Sequence, residues 1–226
     1  MDGAQGQPNA NANTTLIRLG GGAGFLVFGL HILINSVLIE PLPASGEFET
    51  YLGGTLGATA IGHGLRYLAF FVLAFFAVGM YLLSGGGKAS GWAILGLLGG
   101  ALQFAIAVVA NTFQTAAVLY SADLADRPDQ VTLLWNLGRA LFRVEPTFAG
   151  LMFLGFTIAG WRSRTIPRWM AIPALLMVAV NLVVAVLLAW VLTHDSAEIL
   201  LWARTVLGMI WFISACFLLV RFSPRR

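Results

Sequence analysis

The chain has 226 residues, 58% of them hydrophobic and only 10% charged, with a mean hydropathy of +0.84 and a formal net charge of +3. A water-soluble domain is usually about half apolar and a quarter charged, so this composition excludes one and places the chain in a bilayer. The single cysteine, Cys216, excludes an internal disulfide framework, and within its apolar run it reads as a small buried hydrophobe.

A helix needs about 20 apolar residues at 1.5 Å rise to cross a ~30 Å hydrocarbon core. Residues 1–15, rich in Asn, Gln, Gly and Ala, cannot bury a core and are expected to form a disordered cytoplasmic tail. Residues 16–222 are expected to form an all-α, polytopic transmembrane bundle of six helices, at approximately 16–39, 60–83, 91–120, 131–160, 169–193 and 197–220. The first span, between Arg18 and Glu40, carries His31 and Asn35 four residues apart and so on one face. A loop with Pro41, Pro43, Gly46, Gly53 and Gly54 leads to the second span, where His63, Arg66 and Tyr67 share a face. A glycine-rich hairpin at Ser84 to Gly91 follows, and the third span aligns Gln103, Asn111 and Gln114. Gly20 with Gly24, and Gly96 with Gly100, stand at the four-residue spacing that lets helices approach closely.

After a polar turn at Ser121 to Gln130, the fourth span carries Asn136, Arg139 and Arg143 as one stripe, then Glu145 and Pro146. Its charge-free remainder, Pro146 to Trp161, reaches only about 24 Å, and Thr205 to Val220 after Arg204 is equally short. Glu145 and Arg204 must therefore lie within or against the hydrocarbon boundary. The fifth span holds Asn181 as its polar exception, and Ser196 beside Glu198 is a helix-cap pattern opening the sixth.

Basic residues accumulate in short cytoplasmic loops. Arg18, Lys88, Arg162, Arg164, Arg168, Arg221, Arg225 and Arg226 fall on the side of both termini, with Arg127 alone opposite. Both termini are thus expected in the cytoplasm, with the chain multi-pass in a plasma (inner) membrane. Glu40, Glu47, Glu49, Asp123, Asp126, Asp129, Asp195 and Glu198 make the outer face negative. The pI near 9.5 implies anionic lipid as partner and no nucleic acid, because the basic charge flanks the inner leaflet. Trp92, Trp161, Trp169 and Tyr81 mark the inner ends, and Tyr67, Tyr120, Trp135, Trp190 and Trp202 the outer, leaving only Trp211 deep.

Four arginines against one glutamate in the outer membrane layer are the residues to explain, since an intramembrane charge costs roughly 2.5–3.5 kcal/mol at mid-depth. On a structural account Arg66, Arg139, Arg143 and Arg204 snorkel to headgroups or pair with acids, fastening helix ends together. On a functional account they line an outward-facing cavity with Asn111, Gln114 and Asn136 and hold an anion through planar guanidinium forks. The unequal count separates the two, because structural ions inside a bundle tend to be paired. Glu145 lies about 200° from Arg143 on an ideal helix, although Pro146 should bend the segment. It is either bonded to an arginine of another helix, Arg66 or Arg204, or a desolvated general base, with His31 and His63 as candidate catalytic partners. His31 matches a structural histidine bonded to Asn35 or Gln114, and neither histidine has the partners of a metal or haem site, so no metal and no cofactor are expected.

The run Trp161-Arg-Ser-Arg-Thr-Ile-Pro-Arg-Trp-Met-Ala-Ile-Pro-Ala-Leu175, with the Arg18-Leu-Gly-Gly-Gly-Ala-Gly-Phe-Leu entry to the first span, resembles an uncharacterised bacterial multi-pass family, domain of unknown function 4386. That resemblance covers most of Leu16 to Val220 and implies no activity and no catalytic residues. The expected function is therefore non-enzymatic binding or movement of an anionic amphiphile, such as a lipid headgroup, fatty acid or polyprenyl phosphate. The alternatives are an intramembrane enzyme using Glu145 on a lipid-like substrate, and a structural subunit of a homo-oligomer or membrane complex.

Overall fold

A computed structural model describes residues 7–39, 56–85, 90–121, 127–187 and 198–222. Glu40, Glu47, Glu49, Lys88, Asp123, Asp126, Trp190, Asp195, Ser196, Arg225 and Arg226 lie outside the described residues. The regular structure among the described residues is helical, and six helices are long and apolar enough to cross a membrane. They are α1 (Gln7–Leu33, continued by a π-helical turn at Ile34–Leu38), α2 (Leu56–Leu83), α3 (Gly91–Leu119), α4 (Pro128–Arg162), α5 (Ala171–Val186) and α6 (Glu198–Val220). A 3₁₀ turn at Arg168–Met170 leads into α5.

Three helices begin earlier than expected, among them α2, which starts at Leu56 instead of residue 60. α1 begins at Gln7 instead of Leu16, since Pro8 sits in its first turn, where proline is tolerated, and no breaker follows before the apolar run. α4 is one continuous helix through Pro146, starting with Pro128 at its first position. Its extra turns project the helix beyond the apolar length that the charge-free run alone supplies.

Each helix packs against its neighbours in sequence, α6 closes the ring against α1, and α2, α4 and α6 also meet across the middle. Arg18 Nε donates to the Phe222 carbonyl at 3.1 Å, so the start of the first span and the end of the last share one end of the bundle. Arg162, Arg164, Arg168 and Arg221 cluster by topology at that same basic end. The outward face is apolar and exposed, as at Phe71, Leu98, Leu133, Leu182 and Ile199, which is what a lipid-facing surface requires.

Glycines set the helix spacing. A Cβ on Gly20 would lie 2.8 Å from the Phe75 carbonyl and 3.0 Å from Gly79 Cα, so α1 and α2 touch backbone to backbone. Between α3 and α4 the contact runs through Gly96 against the Phe156 ring and Gly99 against the backbone of Leu151 and Met152. Gly100, by contrast, faces the flexible Met152 sulfur at 3.1 Å. Toward the basic end the interior is mainly apolar: Phe76, Met80, Met152, Phe156, Trp211 and Cys216 are buried together. Trp211 stacks on Phe153 at 4.3 Å and donates its Nε1 hydrogen to Thr157 Oγ1 at 2.7 Å, which satisfies the one polar atom of this large buried ring. Cys216 is free and buried, as its apolar run implied.

Candidate functional site

At 1.5 Å per residue, Arg66, Glu145 and Arg204 each lie about 25 Å from the basic end of their helices, which places them at one depth above the apolar core. The polar side chains there form two networks on either side of α4.

The first network joins α1, α2 and α3. Arg66 Nη1 donates to Gln114 Oε1 at 2.8 Å, Arg66 Nη2 donates to Asn35 Oδ1 at 2.5 Å, and its guanidinium carbon stands 5.3 Å from the centre of the Phe142 ring. Asn35 belongs to the π-helical turn, and its amide donates to the His31 carbonyl at 2.8 Å and meets His31 Nδ1 at 3.2 Å. This second contact makes Nδ1 the acceptor and puts the His31 proton on Nε2. One turn before Arg66, His63 and Asn111 bond reciprocally: His63 Nδ1 to Asn111 Oδ1 at 2.9 Å, and Asn111 Nδ2 to the His63 carbonyl at 3.1 Å. Since the Asn111 oxygen must accept, His63 carries its proton on Nδ1, and its buried Nε2 has no partner among the described residues. Tyr67 adds a bond to Thr112 Oγ1 at 2.9 Å, with the Thr112 hydroxyl donating to the Val108 carbonyl.

The second network follows from Pro146. Proline has no N–H for the Phe142 carbonyl, and two carbonyls beside it accept side-chain donors from other helices. Arg204 Nη1 donates to the Arg143 carbonyl at 2.7 Å, and Asn181 Nδ2 donates to the Pro146 carbonyl at 3.0 Å. Glu145 lies near the Gln103 side chain and within electrostatic reach of Arg204. Of the two arginines expected as its partner, Arg204 is the nearer in electrostatic terms, and neither forms a hydrogen bond or ion pair with it among the described residues. Arg204 Nε, Asn181 Oδ1 and Gln103 Oε1 are buried without a partner among the described residues.

The expected four-arginine cluster is thus divided. Arg66 belongs with Asn111 and Gln114 in one network, while Arg204 bonds the Arg143 carbonyl near Glu145 in the other. Asn136 and Arg139 are exposed on the perimeter of α4 and enter neither network. Trp135, near the start of α4, is buried edge-on against His63 at 6.3 Å. Phe142 is the participant that residue-type reasoning overlooked, because an aromatic in an apolar helix carries no signal until the facing cation is known. Among the described residues no three His, Cys, Asp or Glu side chains gather as a metal site.

Arg66 is the chemically distinctive group. Its partners among the described residues are two amide oxygens and an aromatic ring, all neutral, so they orient the guanidinium without cancelling its charge. With one hydrogen of each terminal nitrogen engaged, three of its five N–H donors remain for another acceptor. Comparison with protein-family models, curated proteins and solved structures finds no match, so no residue role is taken from a relative.

Proposed function

We propose that this is a plasma-membrane binding protein, both termini in the cytoplasm, whose Arg66 holds the head of an anionic amphiphile within the bilayer. The observation that carries this reading is the charge-neutral cradle of Asn35, Gln114 and Phe142 around a half-buried guanidinium. Placing an uncompensated cation in hydrocarbon is costly, and an anion that accepts its remaining donors offsets that cost. Arg204 does not share this character, since Glu145 stands beside it.

The second reading is an intramembrane enzyme with Glu145 as general base. It draws on the three unpartnered polar atoms around the Pro146 bend, where water or a polar substrate group would fit. The opposed charges of Glu145 and Arg204 are more economically a fastening between α4 and α6, and binding remains the better-supported function.

Binding of radiolabelled palmitate to detergent-solubilised protein tests the proposal. Arg66→Gln should weaken binding by about 10- to 100-fold, the loss expected for a charge-assisted hydrogen bond, while Arg139→Gln should leave it unchanged. Full binding by a folded Arg66→Gln protein refutes the anion site. Loss of turnover with retained binding in Glu145→Gln would instead support the enzyme.

A further inference from the structure

The face of α2 that carries Arg66 continues toward the basic end. Seven residues turn a helix by about 700° and eleven by about 1100°, so Leu73 and Ala77 lie within about 20° of Arg66 around the axis. Both line an apolar cavity of about 250 Å³ between α2, α3 and α4, with Leu97, Ala101 and Phe104 of α3 and Met152 of α4. Ala101 is exposed, so this space communicates with the lipid-facing perimeter. One turn below Arg66, the Phe70 and Phe104 rings meet edge to face at 6.3 Å, marking the boundary between the cation and the cavity.

Taking Arg66 as the anion-holding group of the preceding reading, we propose that this cavity receives the hydrocarbon chain of a long-chain fatty acid whose carboxylate is bound by Arg66. Charge complementarity selects the head. A single guanidinium with neutral partners matches a monoanion, and a planar carboxylate takes two of its free donors in parallel. Volume selects the chain: at roughly the 30 Å³ occupied by a water molecule, which is close to a methylene, about eight methylene groups fit. Leu73 lies about 10 Å and Ala77 about 16 Å along the axis from Arg66, so an extended tail running from the head enters the cavity and reaches its far wall.

Depth favours a fatty acid over a two-chain phospholipid. α2 is about 42 Å long against a ~30 Å core, and Arg66 lies about 15 Å from its Leu56 end. Centring the helix puts Arg66 about 9 Å inside the hydrocarbon boundary. A carboxylate on a single chain descends to that level without drawing in a glycerol backbone and a second chain.

The test uses the full chain in detergent, radiolabelled palmitate as the probe and dipalmitoyl phosphatidylglycerol as competitor. Ala101→Phe fills the cavity from its exposed side and should lower palmitate affinity about tenfold with the melting temperature of the unliganded protein unchanged, and Ala101→Leu should act in the same direction. Arg66→Gln should lower it at least as much, and the phosphatidylglycerol should compete at least about tenfold less well than unlabelled palmitate. If Arg66→Gln abolishes binding but both Ala101 variants bind palmitate normally, the chain lies elsewhere: the cavity assignment falls and the anion site stands. If Arg66→Gln binds normally, both fall. Equal competition by the phospholipid, sensitive to the same Ala101 variants, replaces the fatty acid by a phospholipid and overturns the assignment. So does an absence of palmitate binding in the unaltered protein.

Discussion

Replacing Gly155 by alanine should force α3 and α4 apart. A Cβ at Gly155 would lie 2.6 Å from Gly96 Cα and 2.6 Å from the Trp92 carbonyl oxygen, and closer still to the Gly96 nitrogen. All three atoms belong to the α3 backbone, so no rotamer change relieves the clash. Ordinary carbon contacts are about 3.5–4.0 Å, which requires the helices to separate by roughly 1 Å, and such a gap forfeits a quarter to a half of each dispersion contact along the seam. Gly96 against Phe156 and Gly99 against Met152 lie on that seam and lose contact together. Overpacking of this kind costs about 1–3 kcal/mol, and for a chain of this length each kcal/mol lowers the melting temperature by about 2–4 °C. The control is Gly64→Ala on α2, where an added Cβ meets nothing within 4 Å and alanine is the better helix former by about 1 kcal/mol. Thermal unfolding in detergent, followed by circular dichroism, should therefore show Gly155→Ala melting well below the unaltered protein and Gly64→Ala melting at or above it. Equal melting of Gly155→Ala and the unaltered protein would refute the close-packed glycine seam.

Trp211→Phe should destabilise the protein by about 1–3 kcal/mol, because it leaves the buried Thr157 hydroxyl without its indole donor; adding Thr157→Val should recover part of that loss in the same melting assay. Arg204→Met should cost about 1–3 kcal/mol, because the Arg143 carbonyl loses its charged donor and Glu145 a neighbouring cation, and Arg204→Met with Glu145→Gln should cost less than the single change; strictly additive effects would exclude electrostatic coupling of the two. For orientation, a cysteine at the exposed position Gln130 should react with an impermeant thiol reagent in intact cells and one at exposed Ser163 should not, and native Cys216, being buried, should contribute little background.

The spans were legible because charge-free length and helical rise are one-dimensional quantities. Arg66, Lys88 and Arg168 bracket apolar runs long enough to cross a bilayer whatever the packing. Same-helix geometry was legible too, and His31 does bond Asn35 four residues on. What required coordinates was the partition between helices. Asn136, Arg139 and Arg143 form one stripe in sequence, but only Arg143 turns toward the interior, where its carbonyl rather than its guanidinium accepts Arg204. The bend at Pro146 was readable as a lost donor, yet that Asn181 and Arg204 supply hydrogens to the carbonyls beside it depends on how α5 and α6 dock. Gly99 and Gly155 escaped the four-residue glycine pattern because a backbone contact between two helices has no signature in either helix alone.

Native mass spectrometry of the protein purified from its membrane tests the anion site most directly, because it reads the occupant without presupposing it. The unaltered protein and Arg139→Gln should each carry an adduct of one monoanionic lipid, and Arg66→Gln should lose at least about four-fifths of it, as a tenfold or greater fall in affinity implies at half-saturation or below. An adduct retained at equal abundance in a folded Arg66→Gln protein would contradict the account.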